Sequence, residues 1–145
     1  MKAPVGVTVL GSTGSIGVST LDVIQRNSDR YRPIALTANR DVDGLAAQCL
    51  ATQPLYAVMS DTDAAEQLRR RLHAEAPDIE VLAGPEALCT VAGLEQVDVV
   101  MAGIVGAAGL LPTLEAANQG KRVLLANKEA LVMSGELFMQ AVRAG

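Results

Sequence analysis

Aromatic side chains are nearly missing from this sequence. Tryptophan is absent, and two tyrosines with one phenylalanine amount to 2% of 145 residues. Proteins that grip single strands of nucleic acid stack bases on rings, and this chain has few rings to offer. Positive charge is also in deficit: twelve lysines and arginines face sixteen acidic residues, for a net charge of −4. That balance argues against a surface built to hold polyanions. Cysteine occurs only at Cys49 and Cys89. Both fall in apolar, helix-like contexts with no second ligand nearby, so they read as buried free thiols of a reducing compartment. No apolar run is long enough to cross a bilayer, and no basic stretch leads into a short apolar one. The expected location is the cytoplasm.

Small and aliphatic residues are abundant instead. Half of the chain is hydrophobic, enough for a sizeable core in one domain. The most informative stretch is Gly11-Ser12-Thr13-Gly14-Ser15-Ile16-Gly17. It follows the apolar run 5–10 and opens a helical segment over 15–27. A strand, a glycine-rich turn and a helix together present backbone N–H groups and a helix N-terminus to a phosphate. The spacing is GxxGxxG rather than the commoner GxGxxG, so the context carries more weight than the glycines alone.

Strands are expected over 5–10, 33–38, 55–59, 79–83, 97–101 and 123–126, with helices between them and after the last. Ile16, Leu21 and Ile24 are expected to form the inward stripe of the first helix, and Ala65, Leu68 and Leu72 that of the third. Pro33 is expected at the first position of its strand, Asp41 and Asp61 as helix caps, and Pro85 in a first helical turn. The run Arg69-Arg70-Arg71 and His73 read as solvated surface, with Glu66 pairing Arg70. Regular alternation with short connections predicts an α/β, Rossmann-like, doubly wound and mainly parallel sheet with helices on both faces. The sequence stops inside a helical pattern, which reads as part of a longer protein.

In such a sheet, ligands bind beyond the carboxyl ends of the strands. Four loops meet there in this reading: 11–17, 39–41, 102–109 and 127–129. After the second strand, NAD sites place a carboxylate, whereas a 2′-phosphate calls for positive charge and N–H donors. Arg40 and Asn39 favour NADP(H); Asp41 either meets a ribose hydroxyl or caps the next helix. The small-residue loop 102–109 lets a flat group lie on backbone, or simply packs a helix closely. Asn127, Lys128 and Glu129 follow a strand expected to be buried, so their polar groups emerge at the same rim.

Three stretches together resemble the 1-deoxy-D-xylulose 5-phosphate reductoisomerase family. They are Leu10-Gly-Ser-Thr-Gly-Ser-Ile-Gly17 with Ser19-Thr-Leu-Asp-Val23, Ile104-Val-Gly-Ala-Ala-Gly-Leu-Leu-Pro-Thr113, and Leu125-Ala-Asn-Lys-Glu-Ala-Leu-Val132. The resemblance implies the N-terminal NADPH-binding domain of that enzyme. By position, Thr13, Gly14, Ser15 and Ile16 would contact the cofactor, chiefly its diphosphate. Asn39, Arg40 and Asp41 would surround the 2′-phosphate end, Asn127 and Glu129 would also contact NADPH, and Lys128 the sugar phosphate substrate. Many family members have Gly-Lys-Asn or a similar triplet where this chain has Asn39-Arg40-Asp41, so the part played by Asp41 is open. A divalent cation, Mg²⁺ or Mn²⁺, and a homodimer are implied for the complete enzyme. Its metal ligands and substrate-covering loop fall beyond this sequence, which should therefore be inactive alone. Two other readings remain: another NADP-dependent dehydrogenase or epimerase sharing the glycine turn, and a non-catalytic nucleotide-sensing module.

Overall fold

A computed structural model describes residues 4–104 and 109–125. Six strands, β1 (Val5–Leu10), β2 (Tyr31–Ala38), β3 (Tyr56–Met59), β4 (Glu80–Ala83), β5 (Val99–Ala102) and β6 (Arg122–Leu125), form one sheet in the order β4-β3-β2-β1-β5-β6. Every adjacent pair is parallel. The helices α1 (Ser15–Arg26), α2 (Val42–Thr52), α3 (Thr62–Glu75), α4 (Pro85–Ala92) and α5 (Leu110–Asn118) alternate with them.

This order follows from right-handed crossovers. The chain steps one way from β1 to β4 through α1, α2 and α3, then returns past β1 to add β5 and β6. The reversal puts α4 and α5 on the opposite face from α1 to α3. The larger core lies under α1, α2 and α3, where Val9, Leu36, Leu45, Met59, Leu68 and Leu72 are buried together. Leu68 and Leu72 show why α3 docks: burying each such side chain contributes about 1.5–3 kcal/mol, and with Ala65 they occupy one helical face. A second core under α4 and α5 gathers Leu10, Ile34, Ala92, Val97, Val100 and Ala116.

Several expectations need correction. The second strand starts two residues early, so Pro33 is its third residue. Pro33 is tolerated because the β1–β2 register shifts there: Val7 faces Pro33, whereas Thr8 faces Ala35. Pairing with β3 begins only at Ala35, so the missing N–H takes nothing from the β2–β3 ladder and falls at the irregularity of the β1–β2 one. Ile16 is 43% exposed and does not belong to the inward stripe of α1, which Gly17, Leu21 and Ile24 form. The residue at that inward position is glycine because a Cβ on Gly17 would collide with Gly11 O and Ser12 Cα.

The strand expected over 123–126 is not fully buried. Val123 is half-buried and Leu124 is 40% exposed, since β6 pairs only with β5 among the described residues. Leu124, with Val7, Ile16, Val23, Val99 and Met101, lines an apolar groove of about 300 Å³ beside α1. The arginine run and His73 are exposed, as expected, though two of the arginines also reach beyond the helix. Arg69 donates to Glu66 and to the carbonyl of Val81, Arg71 pairs with Asp43 of α2, and Arg70 meets Glu66 at 3.8 Å. Cys49 is buried, but Cys89 is only partly so.

Candidate functional site

The reversal of strand order falls between β1 and β5, and a cleft of about 700 Å³ opens at the carboxyl ends of the strands there. Crevices at such switch points are where open α/β sheets hold ligands. Its walls come from four segments: Gly11, Thr13 and Gly14 after β1, Thr37 to Asn39 at the end of β2, Ser60 after β3, and Gly103 with Ile104 after β5. Pro85, Glu86, Leu88 and Cys89 of α4 and Leu111 and Pro112 of α5 close the far side. The apolar groove beside α1 has no comparable polar lining and is set aside as the site.

The three glycines of the turn have separate reasons. Gly11 has φ +76°, which L side chains rarely adopt, and its Cβ would stand 2.9 Å from Gly103 O. Gly103 reciprocates, with a Cβ position 2.8 Å from Leu10 O. The loops after β1 and β5 therefore touch backbone to backbone and leave the crevice floor bare. Gly17 seats α1 on the turn, as above. Gly14 is different: its φ and ψ of −76° and 172° suit any residue, and the nearest atom to a Cβ would be 3.5 Å away. Glycine at this N-cap leaves α1 without a side-chain cap. The first N–H groups of a helix have no intrahelical partner, so this helix start keeps its donors and its partial positive charge for an anion.

The second end of the cleft is built by β2 and β3. Asn39 is exposed at its wall, and its carbonyl accepts the N–H of Asp61. Arg40 projects outward, 79% exposed, with its Nε 3.1 Å from Asp61 Oδ2. An exposed pair of this kind adds little stability, but it orients the guanidinium. Asp41 caps α2, accepting the Gly44 N–H at 2.9 Å. Asp61 caps α3 with its other oxygen, accepting from Asp63 and Ala64.

Thr13, Gly14 and Asn39 thus share one cleft, with Ser15 and Ile16 in the first turn of α1 and Arg40 and Asp41 leaving β2 at the same rim. The residues Asn127, Lys128 and Glu129 lie outside the described residues. The strand preceding them ends in register with the site, since Leu125 pairs with Ala102. Sequence reasoning missed Thr37, fully buried, whose Oγ1 accepts the Gly11 N–H at 2.9 Å and whose carbonyl accepts the Ser12 N–H at 2.8 Å. A hydroxyl inside the otherwise apolar run Ile34-Ala-Leu-Thr37-Ala38 was the available signal. It also missed the Ser12–Gln48 pair and the α4 wall. On that wall, burial pushes the Cys89 thiol pKa up, and the nearby Glu115 and Glu86 carboxylates push it further.

A dinucleotide fits these features. The bare floor between Gly11 and Gly103 has room for a flat or extended group, the uncapped start of α1 has N–H donors suited to an anion, and Arg40 is a cation at the same rim. No three His, Cys, Asp or Glu side chains converge among the described residues.

A family profile described as 1-deoxy-D-xylulose 5-phosphate reductoisomerase matches residues 7–135. Among relatives of that name, the protein of Nitrosococcus oceani is 63% identical over 138 residues, which cover 95% of this chain and 35% of the relative. That of Methylococcus capsulatus is 64% identical, covering 94% and 35% respectively. The chain therefore spans about a third of the length of these relatives. Among solved structures, the Zymomonas mobilis reductoisomerase in complex with NADPH superposes with a TM-score of 0.92 at 49% identity, covering 99% of this chain and 37% of that one. A reductoisomerase in complex with NADPH, fosmidomycin and magnesium gives 0.91 at 45% identity, covering 96% and 34%.

Proposed function

Because this chain belongs to the 1-deoxy-D-xylulose 5-phosphate reductoisomerase family, we propose that it is the NADPH-binding portion of an enzyme that isomerises and reduces 1-deoxy-D-xylulose 5-phosphate to 2-C-methyl-D-erythritol 4-phosphate. That reaction belongs to the non-mevalonate route to isoprenoid precursors. The supporting observation is the start of α1, where Gly14 leaves the helix uncapped at the switch point of a parallel sheet.

In this reading Thr13, Gly14, Ser15 and Ile16 hold the diphosphate through backbone donors. Asn39, Arg40 and Asp41 frame the 2′-phosphate, with Arg40 as the charge that selects it. Asn127 and Glu129 make further cofactor contacts, and Lys128 binds the phosphorylated sugar. When bound, NADPH supplies the hydride for the reduction. The task of this part of the enzyme is positional: it fixes the cofactor so that its reactive ring faces the sugar. Mg²⁺ or Mn²⁺ would be held by residues outside this sequence. A cytoplasmic homodimer is the proposed state of the complete enzyme.

The test is turnover of 1-deoxy-D-xylulose 5-phosphate by the complete enzyme with NADPH and a divalent cation. Lys128→Ala should lower kcat/KM by at least ~10-fold, the loss of a charge-assisted contact to phosphate, while the folded state persists by circular dichroism. Absence of turnover in the wild-type enzyme, or unaltered kinetics in the variant, would overturn the assignment or the role of Lys128 respectively.

A further inference from the structure

The glycine turn is held from an unexpected direction. Ser12 is completely buried, and its Oγ donates to Gln48 Oε1 at 2.7 Å. The Gln48 side chain answers with Nε2 donating to the Ser12 carbonyl at 2.8 Å. The two residues are 36 positions apart, and Gln48 lies on α2 rather than on α1 or β1. One amide thus satisfies both a side chain and a main-chain group of the residue after Gly11. Two further donors of that corner are fixed from β2, since Thr37 accepts the N–H groups of Gly11 and Ser12.

α2 opens directly after Asn39, Arg40 and Asp41, and it reaches Ser12 six residues into its length. The same helix therefore carries the loop proposed for the 2′-phosphate and the grip on the turn proposed for the diphosphate. We infer that Gln48 is a positioning residue, which fixes the Gly11–Gly14 corner from α2 and sets its distance from the 2′-phosphate loop. Gln48 does not touch the cofactor in this scheme; it acts through Ser12. The inference rests on the cofactor reading above.

The experiment uses the complete enzyme and two probes, NADPH and adenosine 2′-monophosphate, the second of which has no diphosphate. Gln48→Met keeps the length of the side chain and removes both hydrogen bonds. NADPH affinity should fall about tenfold, as two ordinary hydrogen bonds that order the turn are lost, while adenosine 2′-monophosphate binds as before. Ser12→Ala removes one of the two bonds without touching α2, so it should weaken NADPH in the same direction. The double variant should lose less than the sum of the singles, because both act through one contact. Equal weakening of both probes, or a lower Tm with NADPH affinity retained, would overturn the inference in favour of a general packing role. A wild-type enzyme that does not bind NADPH would overturn the cofactor reading and this inference with it. Unaltered NADPH affinity in both variants would overturn this inference alone.

Discussion

α1 and α2 leave neighbouring strands at the same rim, and they treat the free donors of their first turns in opposite ways. α2 spends a carboxylate on them: Asp41 accepts from Gly44, and α3 repeats the device with Asp61. α1 has glycine at the equivalent place and no side-chain partner at all. α4 and α5 also start on glycine without a side-chain cap, but α1 is the helix that follows the glycine turn at the switch point, where the proposed function puts the diphosphate. Helix propensity does not explain the contrast with α2, because Gly14 sits in a conformation open to any residue. A cap worth a few tenths of a kcal/mol over glycine is forgone at the helix start where the proposed function puts an anion.

The most disruptive way to test the contrast is to make α1 resemble α2. Gly14→Asp should cap the helix and raise or preserve Tm, while the new carboxylate opposes the diphosphate. NADPH affinity should fall ~100-fold, equivalent to losing two charge-assisted bonds of about 1.5 kcal/mol each. Calorimetric titration beside a melting curve checks both halves, and unchanged binding would mean that the diphosphate lies elsewhere. Next in size is Arg40→Ala. The pairing with Asp61 is too exposed to matter for stability, so the expected loss is about tenfold for NADPH and little for NADH. Equal losses for the two cofactors would remove Arg40 from the 2′-phosphate site.

Asp41→Ala addresses the capped side. It should cost about 1 kcal/mol of stability, visible as a Tm lower by several degrees, with NADPH affinity no worse than wild type. A loss of affinity exceeding that of Arg40→Ala would make Asp41 a ligand contact first and a cap second. A last effect, confined to alkaline pH, concerns the buried side of the same helix. Burial raises the Cys49 thiol pKa from 9.0 to about 12, so the folded chain holds that proton longer than the unfolded one. Its contribution is complete below pH ~9 and is lost as the pH rises toward ~12. Denaturant unfolding at intervals from pH 8 to 11 should show a shallower decline in Cys49→Val than in wild type; identical slopes would refute the linkage.

Much of this arrangement was legible in order along the chain. The run Val5-Gly-Val-Thr-Val-Leu10 is apolar because β1 is central, with neighbours on both edges, and Asp41 and Asp61 announce the helices they cap. Leu68 and Leu72 show their helical face through spacing alone. What escaped was decided by contacts between distant segments. The inward position of α1 falls on Gly17 instead of Ile16 because the turn below leaves no room for a side chain. Pro33 is admitted inside β2 by a register shift that only the pairing with β1 reveals. The links from Thr37 to Gly11 and from Gln48 to Ser12 span 26 and 36 residues, so no local pattern could announce them. The resemblance pointed to Thr13, Gly14 and Asn39, which share one cleft, but not to Thr37 and Gln48, which hold the turn in place.

The Asp41 cap also restricts how this chain can drift over generations. A Cβ on Gly44 would lie 2.8 Å from Asp41 Cγ, so the carboxylate would have to rotate away and surrender its bond. Positions 41 and 44 should therefore change as a pair among natural variants, with larger residues at 44 appearing where 41 is no longer acidic. Frequent sequences carrying Asp at 41 beside a bulky residue at 44 would contradict that linkage.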